Sequence, residues 1–359
     1  MFGLPILRKL NLSKTSFYSL FLFSLISCSD LDKKKSEQII QGNTQGTTYN
    51  IKIPSSSNKV NKATINQLLK SFDDILSNYN PLSLISKLNQ SNTDTIFTDE
   101  SNYFINCYKK SQKIFNETNG AFDPSVLPLV KKWGLFYNKT SEIPDSSEID
   151  SILNFTSFKS NYLHNFKVIS DKQFYYKKKD KRFNIDFNAI AQGYAVDVIA
   201  NYLDKLNIKN YFVEIGGEII VKGKKSNNKK WKIGIDSPIE NNNKRTLQCV
   251  LSISNKAIAT SGNYRKFYIK NGKKYAHTID PKTGIPVTHN LLSATVIADN
   301  CADADAYATA FMVMGLNESI SFIENNPKLN LETYLIYQNS KGNLAVYSSD
   351  GMSKYIENK

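Results

Sequence analysis

Between Tyr211 and Tyr347 the chain offers one strand-like run after another, and a regular series of parallel βαβ units cannot be built on that spacing. The runs are Tyr211 to Gly223, Trp231 to Asp236, Gln248 to Ser254, Ala257 to Thr260, Lys266 to Ile269, Leu292 to Ile297, Glu332 to Tyr337 and Asn343 to Tyr347. Helical spacing dominates earlier. From Lys62 to Tyr79 the apolar residues Ile65, Leu68, Leu69, Phe72, Ile75, Leu76 and Tyr79 recur as on one helical face. A second helix is predicted over Asn102 to Glu117, before the stop signal Asn119-Gly120, and a third over Gly193 to Leu206. A fourth covers Ala302 to Met314 and is expected to end at Gly315. Thr47 to Ile53 alternates as a strand, while Phe174 to Tyr176 and Arg182 to Phe187 flank a charged turn and are predicted to pair as a hairpin. Helices mixed with hairpins predict an α+β fold. The 359 residues are 41% hydrophobic and 12% aromatic, enough for one large core or two modest ones.

The first thirty residues have a different character. Arg8, Lys9 and Lys14 precede an apolar run from Phe17 to Ile26, in the order of a secretory signal and too short for a comfortable membrane span. Leu25-Ile26-Ser27-Cys28 follows and resembles the lipobox of bacterial lipoproteins, in which the cysteine is lipidated and becomes the mature N-terminus. The expected organisation is a signal peptide over 1–27, a polar tether over 28–41, one domain over 42–350 and a tail over 351–359, with Cys28 anchored in a lipid bilayer of the cell envelope, on an extracytoplasmic or periplasmic face. The net charge of +14 comes largely from lysine runs such as Lys177 to Lys179 and Lys222 to Lys230. They lie beside strand-like segments and read as solvated hairpin loops; no nucleic-acid module accompanies them, so no nucleic-acid partner is expected. Cys107, Cys249 and Cys301 lack metal-finger spacing; buried free thiols are the default reading, and one disulfide among them is the alternative, which spacing does not decide.

Three blocks could carry chemistry. In Asp303-Ala304-Asp305-Ala306-Tyr307-Ala308-Thr309, a helix places the Asp305 carboxylate and the Thr309 hydroxyl on one face, a pair of hard oxygen donors suited to Mg²⁺. The same pattern arises if Asp303 or Asp305 merely caps the helix. In the run from Asn184 to Asp197 a strand-like segment passes through small residues into a helix, which can offer backbone amides to phosphate or simply pack closely. The third block, Ala259 to Arg265 with Tyr275 to Val287, crowds hydroxyls, an arginine, His277 and an Asp-Pro turn at Asp280 into one span. It reads equally as a hairpin with polar turns.

Together and in this order, these blocks resemble the signature of the FAD:protein FMN transferases, the ApbE-like lipoproteins. The resemblance also takes in Gly46 to Tyr49, Ser83 to Asn89, Asn119 to Val126 with Trp133-Gly134, and Glu214 to Glu218. It implies an α+β fold of mixed and antiparallel sheet packed by helices. It also implies an Mg²⁺-dependent enzyme that cleaves FAD, joins FMN through a phosphoester bond to a Ser or Thr of an exported acceptor protein, and releases AMP. By the same resemblance Mg²⁺ would be held by the backbone carbonyl of Ala189 and the side chains of Asp305 and Thr309. FAD would be bound by Gln45, Leu84, Ile85, Ser86, Asp123, Gln192, Thr260, Ser261 and Gly262, with His277 near the reacting centre. His277 is the first candidate for the base that deprotonates the acceptor and Asp280 the second, because an imidazole titrating near about 6.5 suits neutral pH. Two departures stand out: glutamine occupies position 192 where the family often has lysine, and position 45 where it often has methionine. A simple FAD pyrophosphatase and a non-catalytic flavin-binding lipoprotein are the alternatives.

Overall fold

Gln45 and Gly46 both take positive φ, 50° and 71°, and close a two-residue turn between β1 (Glu37–Thr44) and β2 (Thr47–Pro54). The stretch read as the end of a tether is therefore the first strand. Its polar residues reflect an edge strand with one half-solvated face, a composition that alone cannot be told from a linker. The computed structural model describes residues 37–57, 59–135, 143–159, 161–238, 246–263, 267–270 and 273–357. The signal peptide, Cys28 and the first part of the tether lie outside the described residues.

The elements continue as α1 (Lys62–Leu76), α2 (Leu84–Gln90), β3 (Thr95–Thr98), α3 (Tyr103–Glu117), α4 (Leu127–Lys132) and α5 (Ser146–Leu153). Then come β4 (His164–Ser170), β5 (Gln173–Lys178), α6 (Ala191–Lys205), β6 (Tyr211–Ile215), β7 (Glu218–Lys222), β8 (Trp231–Asp236) and β9 (Leu247–Ile253). The last are β10 (Lys256–Gly262), β11 (Phe267–Lys270), β12 (Lys273–Ala276), β13 (Leu291–Ala298), α7 (Cys301–Asn325), β14 (Glu332–Gln338) and β15 (Leu344–Ser348). The fold is α+β, as the spacing of runs predicts. Its backbone is a sheet in the order β1-β2-β6-β7-β10-β13-β14-β15, and every pairing in it is antiparallel.

Alternation along these strands divides two cores. Ala257, Ala259, Ala294, Val296 and Leu335 face α6 and α7 in the larger core. Ile258, Ile297, Tyr334 and Ile336 face the opposite way, onto Trp231, Ile233, Leu251 and Ile253 of the β8–β9 hairpin. Met352, in the stretch read as a tail, is buried in this second core, and Ile356 forms a bridge to Leu251. The C-terminus is thus part of the domain almost to its end.

One further expectation is corrected. Arg182 to Phe187 does not pair with β5, whose partners are β3 and β4. Phe183, Ile185 and Phe187 are buried as the alternation implies, but side chains replace a neighbouring strand: Asn89 Oδ1 accepts from Ile185 N at 2.7 Å and Asn89 Nδ2 donates to Ile185 O at 2.8 Å. The helix that starts at Cys301 breaks at Gly315 as expected, where φ is 76° and ψ −175°; a second helical stretch follows directly, so that α7 is two helices joined at a kink. His289 fills the break, its Nε2 lying 2.8 Å from the carbonyl of Met312. Cys107, Cys249 and Cys301 are free thiols, as read.

His164 is fully buried among Phe158, Phe183 and Tyr176, with Nε2 2.6 Å from the Tyr108 hydroxyl. Burial, with a smaller contribution from Lys179, pushes its imidazole down to about 4. The unfolded chain therefore takes up a proton below about pH 6.5 that the native state refuses, so His164 by itself contributes a loss of about 2 kcal/mol of stability between pH 7 and pH 5. The buried carboxyls of Asp123, Asp197 and Asp305 are raised by burial and act in the opposite direction, so the measurement is a difference: from urea unfolding at the two pH values, His164→Phe should gain about 2 kcal/mol on the wild type in going from pH 7 to pH 5.

Candidate active site

The N-terminus of α7 shows how one local motif assigns different work to two aspartates. Asn300 caps the helix, its side chain accepting from Asp303 N at 3.0 Å. Asp303 is held by Lys110 at 3.0 Å and Asn300 at 2.8 Å. Neither aspartate is the cap. Asp305 turns inward, where Oδ2 accepts from Gly193 N at 3.0 Å and Oδ1 makes no hydrogen bond among the described residues. Burial pushes its carboxyl up to about 7; the Gly193 amide opposes the shift and the neighbouring Asp197 adds to it.

Asp197 accepts from Cys301 N at 2.8 Å and Ala302 N at 2.9 Å, so a side chain of α6 satisfies the first amides of α7. It is buried, and burial raises its carboxyl to about 6. The helices approach so closely at this point that a Cβ on Gly193 would lie 2.3 Å from the Cys301 carbonyl oxygen. Gly193→Ala must push α7 away or displace Asp305. The expected cost is about 1–3 kcal/mol, with a larger loss of activity than of stability, checked by thermal melts alongside the transfer assay.

One turn beyond Asp305, Thr309 Oγ1 lies 3.2 Å from Ser261 Oγ and ties α7 to the end of β10. Ala189 sits just before α6 on a loop fixed from both sides. Asp186 Oδ1 accepts from Asn188 N at 2.8 Å, and Ala191 N donates to Phe187 O at 2.7 Å. Asp186 N donates to Pro124 O at 2.6 Å, which links this loop to the one carrying Asp123. Asp123 accepts from Ser125 N and Oγ at 2.7 and 2.6 Å and from Phe158 N at 3.3 Å, and burial still raises it to about 6.

Ala189, Asp305 and Thr309 line one cavity of about 1970 Å³, together with Gln45, Asp123, Gln192, Thr260, Ser261, Gly262 and His277. Gln192 lies against the Gly216 turn between β6 and β7. Thr260 Oγ1 is 2.8 Å from Thr295 Oγ1. His277 belongs to a loop tied down by Thr278 Oγ1 donating to Asn263 Oδ1 at 2.8 Å and by Trp133 Nε1 donating to Gly284 O at 2.7 Å.

Four expected residues are not part of the lining. Leu84, Ile85 and Ser86 form the first turn of α2, which Ser83 caps by accepting from Ser86 N at 3.1 Å. Ser83 Oγ also donates to the carbonyl of Ser77 at 2.8 Å, so this segment supports a lining residue from behind. Asp280 spends both carboxylate oxygens in its own turn, accepting from Lys282 N at 2.9 Å and from Thr283 Oγ1 at 3.0 Å. Reading the residues alone also missed two contributors. Asp197 stands one helical turn after Gly193, a spacing that could have flagged it. Asp73, which lines the cavity and accepts a hydrogen bond from Gln45, lies beside Asp74 on a polar helical face and carries no signal of its own.

Among the described residues no group of three or more His, Cys, Asp and Glu side chains is placed to hold a metal. One carboxylate, one hydroxyl and one carbonyl, from Asp305, Thr309 and Ala189 of the same cavity, would be hard oxygens with a single negative charge. Asp305 Oδ1 makes no hydrogen bond among the described residues, and such a set would leave positions for phosphate oxygens and water, which fits Mg²⁺.

The sequence model of the ApbE family matches residues 45–334. A Haemophilus influenzae protein named FAD:protein FMN transferase is 33% identical, over 94% of this chain and 95% of its own length. An Escherichia coli K12 protein of the same name is 32% identical, over 77% of this chain and 78% of its own. Among solved structures, the flavin transferase ApbE from Vibrio cholerae superposes with a TM-score of 0.75 at 29% identity, covering 89% of this chain and 99% of its own. The apo form of the flavinyl transferase ApbE from Pseudomonas stutzeri gives 0.76 at 25% identity, covering 89% and 96%. With its sheet order, its α6–α7 contact and a family match that spans every residue of the cavity centre, this chain belongs to the ApbE family.

Proposed function

We propose that this chain is a FAD:protein FMN transferase that works with Mg²⁺ on an acceptor protein outside the cytoplasm, releasing AMP. The observation that carries the reading is the convergence of Asp305, Thr309 and the Ala189 loop on one cavity. Its volume of about 1970 Å³ exceeds the range of roughly 300–1,000 Å³ usual for a small-molecule site, which leaves room for a dinucleotide and a segment of acceptor together.

In the reaction the acceptor oxygen bonds to the phosphorus on the FMN side of FAD. The bridging P–O bond breaks with its electron pair going to AMP, and the acceptor proton leaves. Mg²⁺, when bound, neutralises charge on the pyrophosphate oxygens. Asp305, Thr309 and the Ala189 carbonyl would hold the ion, Gln192 and the Thr260–Gly262 turn would orient the dinucleotide, and His277 would take the acceptor proton. With glutamine in place of lysine, position 192 would meet a phosphate or ribose as a neutral hydrogen-bonding group and bring no charge.

Incubation of the protein with FAD, Mg²⁺ and an envelope membrane fraction should produce a fluorescent protein band that carries an added FMN mass on one Ser or Thr peptide. Stoichiometric release of free FMN and AMP, with no labelled protein, would make it a pyrophosphatase instead. The same proposal includes a lipid anchor at Cys28, motivated by the basic, apolar and lipobox order at the N-terminus. Cys28→Ser should then move the protein from the membrane to the soluble fraction; unchanged retention would sink the anchor.

A further inference from the structure

Lys232, Ile233, Gly234, Ile235 and Asp236, five consecutive residues of β8, line the cavity. Side chains alternate across a strand, so an unbroken run reaches a cavity when the strand presents its edge. The opposite edge of β8 is paired with β9, and β9 is closed in turn by the C-terminal segment. Ser252 N donates to Tyr355 O at 2.7 Å, and Glu357 N donates to Val250 O at 2.9 Å.

Those two bonds fix the direction of the ladder. In an antiparallel pair, opposed residues turn their N–H and C=O groups either toward each other or both away. Ser252 and Val250 point away from β8, so their partners Lys232 and Gly234 point away from β9, along the open edge. Among the described residues no hydrogen bond takes up these four backbone groups. They repeat at two-residue spacing, and the chemistry complementary to that pattern is another extended backbone; a dinucleotide has no such row of amides. The two outer strands of the main sheet, β1 and β15, contribute no residue to the cavity.

We propose that the β8 edge is the docking strand for the acceptor: an extended segment around the modified Ser or Thr adds to β8 through Lys232 and Gly234, which delivers its hydroxyl into the cavity. The inference rests on the transferase reading.

The test uses full-length protein and a synthetic peptide spanning the flavinylated residue found in the transfer assay, N-methylated at one backbone nitrogen at a time. Methylation should raise the acceptor KM roughly tenfold at alternate positions and little between them, since each blocked bond is worth on the order of a factor of ten. A flat or non-periodic profile would overturn the docking strand. In the protein, Lys232→Pro removes an outward N–H that the β8–β9 ladder does not use, whereas Lys232→Ala keeps it and removes only the side chain paired with Glu357. Lys232→Pro should exceed Lys232→Ala in acceptor KM by roughly tenfold, and by more than any change in FAD Kd. Parallel losses in KM and Kd would mean a damaged cavity and would overturn the assignment. A wild-type dimer that Lys232→Pro dissociates, with peptide KM unmoved, would give the edge to a second copy. If wild-type protein transfers FMN and both arms are silent, the docking strand alone fails; if wild-type transfers none, the transferase reading fails with it.

Discussion

Asp305→Asn should reduce FMN transfer on the order of 10³-fold while leaving the fold in place, because it takes away several kcal/mol of charge stabilisation at the reacting phosphate and little else. The amide oxygen of asparagine can still accept from Gly193 N, so the contact that seats α6 on α7 survives. What disappears is the only side-chain charge in the proposed metal set. Thr309→Val should be milder, on the order of tenfold, since it removes a neutral donor and roughly conserves shape. The measurements are transfer rate as a function of Mg²⁺ concentration and the thermal midpoint of each variant. An Asp305→Asn protein with normal turnover and an unaltered Mg²⁺ requirement would remove Asp305 from the metal site.

His277→Asn should depress transfer by roughly 10²-fold to 10⁴-fold, the usual worth of a positioned base. FAD affinity should change far less, because the Ala189 loop, the Thr260–Gly262 turn and the metal donors are untouched. Fluorescence quenching gives the affinity, and in-gel flavin fluorescence of the acceptor gives the transfer. Equal losses in both would make His277 a binding residue. No loss in either would leave the reaction without an assigned base, since Asp280, the other candidate, has both carboxylate oxygens committed to its own turn.

The places where the structure departs from the sequence reading share a cause. Phe183, Ile185 and Phe187 alternate as a strand does and are buried as a strand would be, yet the amide and carbonyl of Ile185 are satisfied by Asn89. Alternation reports burial, and burial does not specify which group completes the backbone hydrogen bonds. Glu37 to Gln41 erred the other way, as an edge strand too polar to stand out. Leu84 to Ser86 sits behind the cavity wall because a capped helix turn reaches Ser77 from outside, a relation between segments that no local pattern records.

Local periodicity and composition were enough to set the α+β class, the principal helices and strands and the pairing of Asp305 with Thr309 on one helical face, because repeats of 2 and 3.6 residues are written into neighbouring side chains. Tertiary structure alone decided which donors meet. Either of the two aspartates at the start of α7 could have been the helix cap by sequence; Lys110 and Asn300 claim Asp303, and Asp305 turns inward to Gly193 and the cavity. Likewise β8 reads as an ordinary short strand, and only the C-terminal segment closing the far side of β9 determines that its open edge faces the cavity. Hydrogen-bond direction and side-chain commitment are properties of a contact between distant segments, so they come into existence only when the chain has folded.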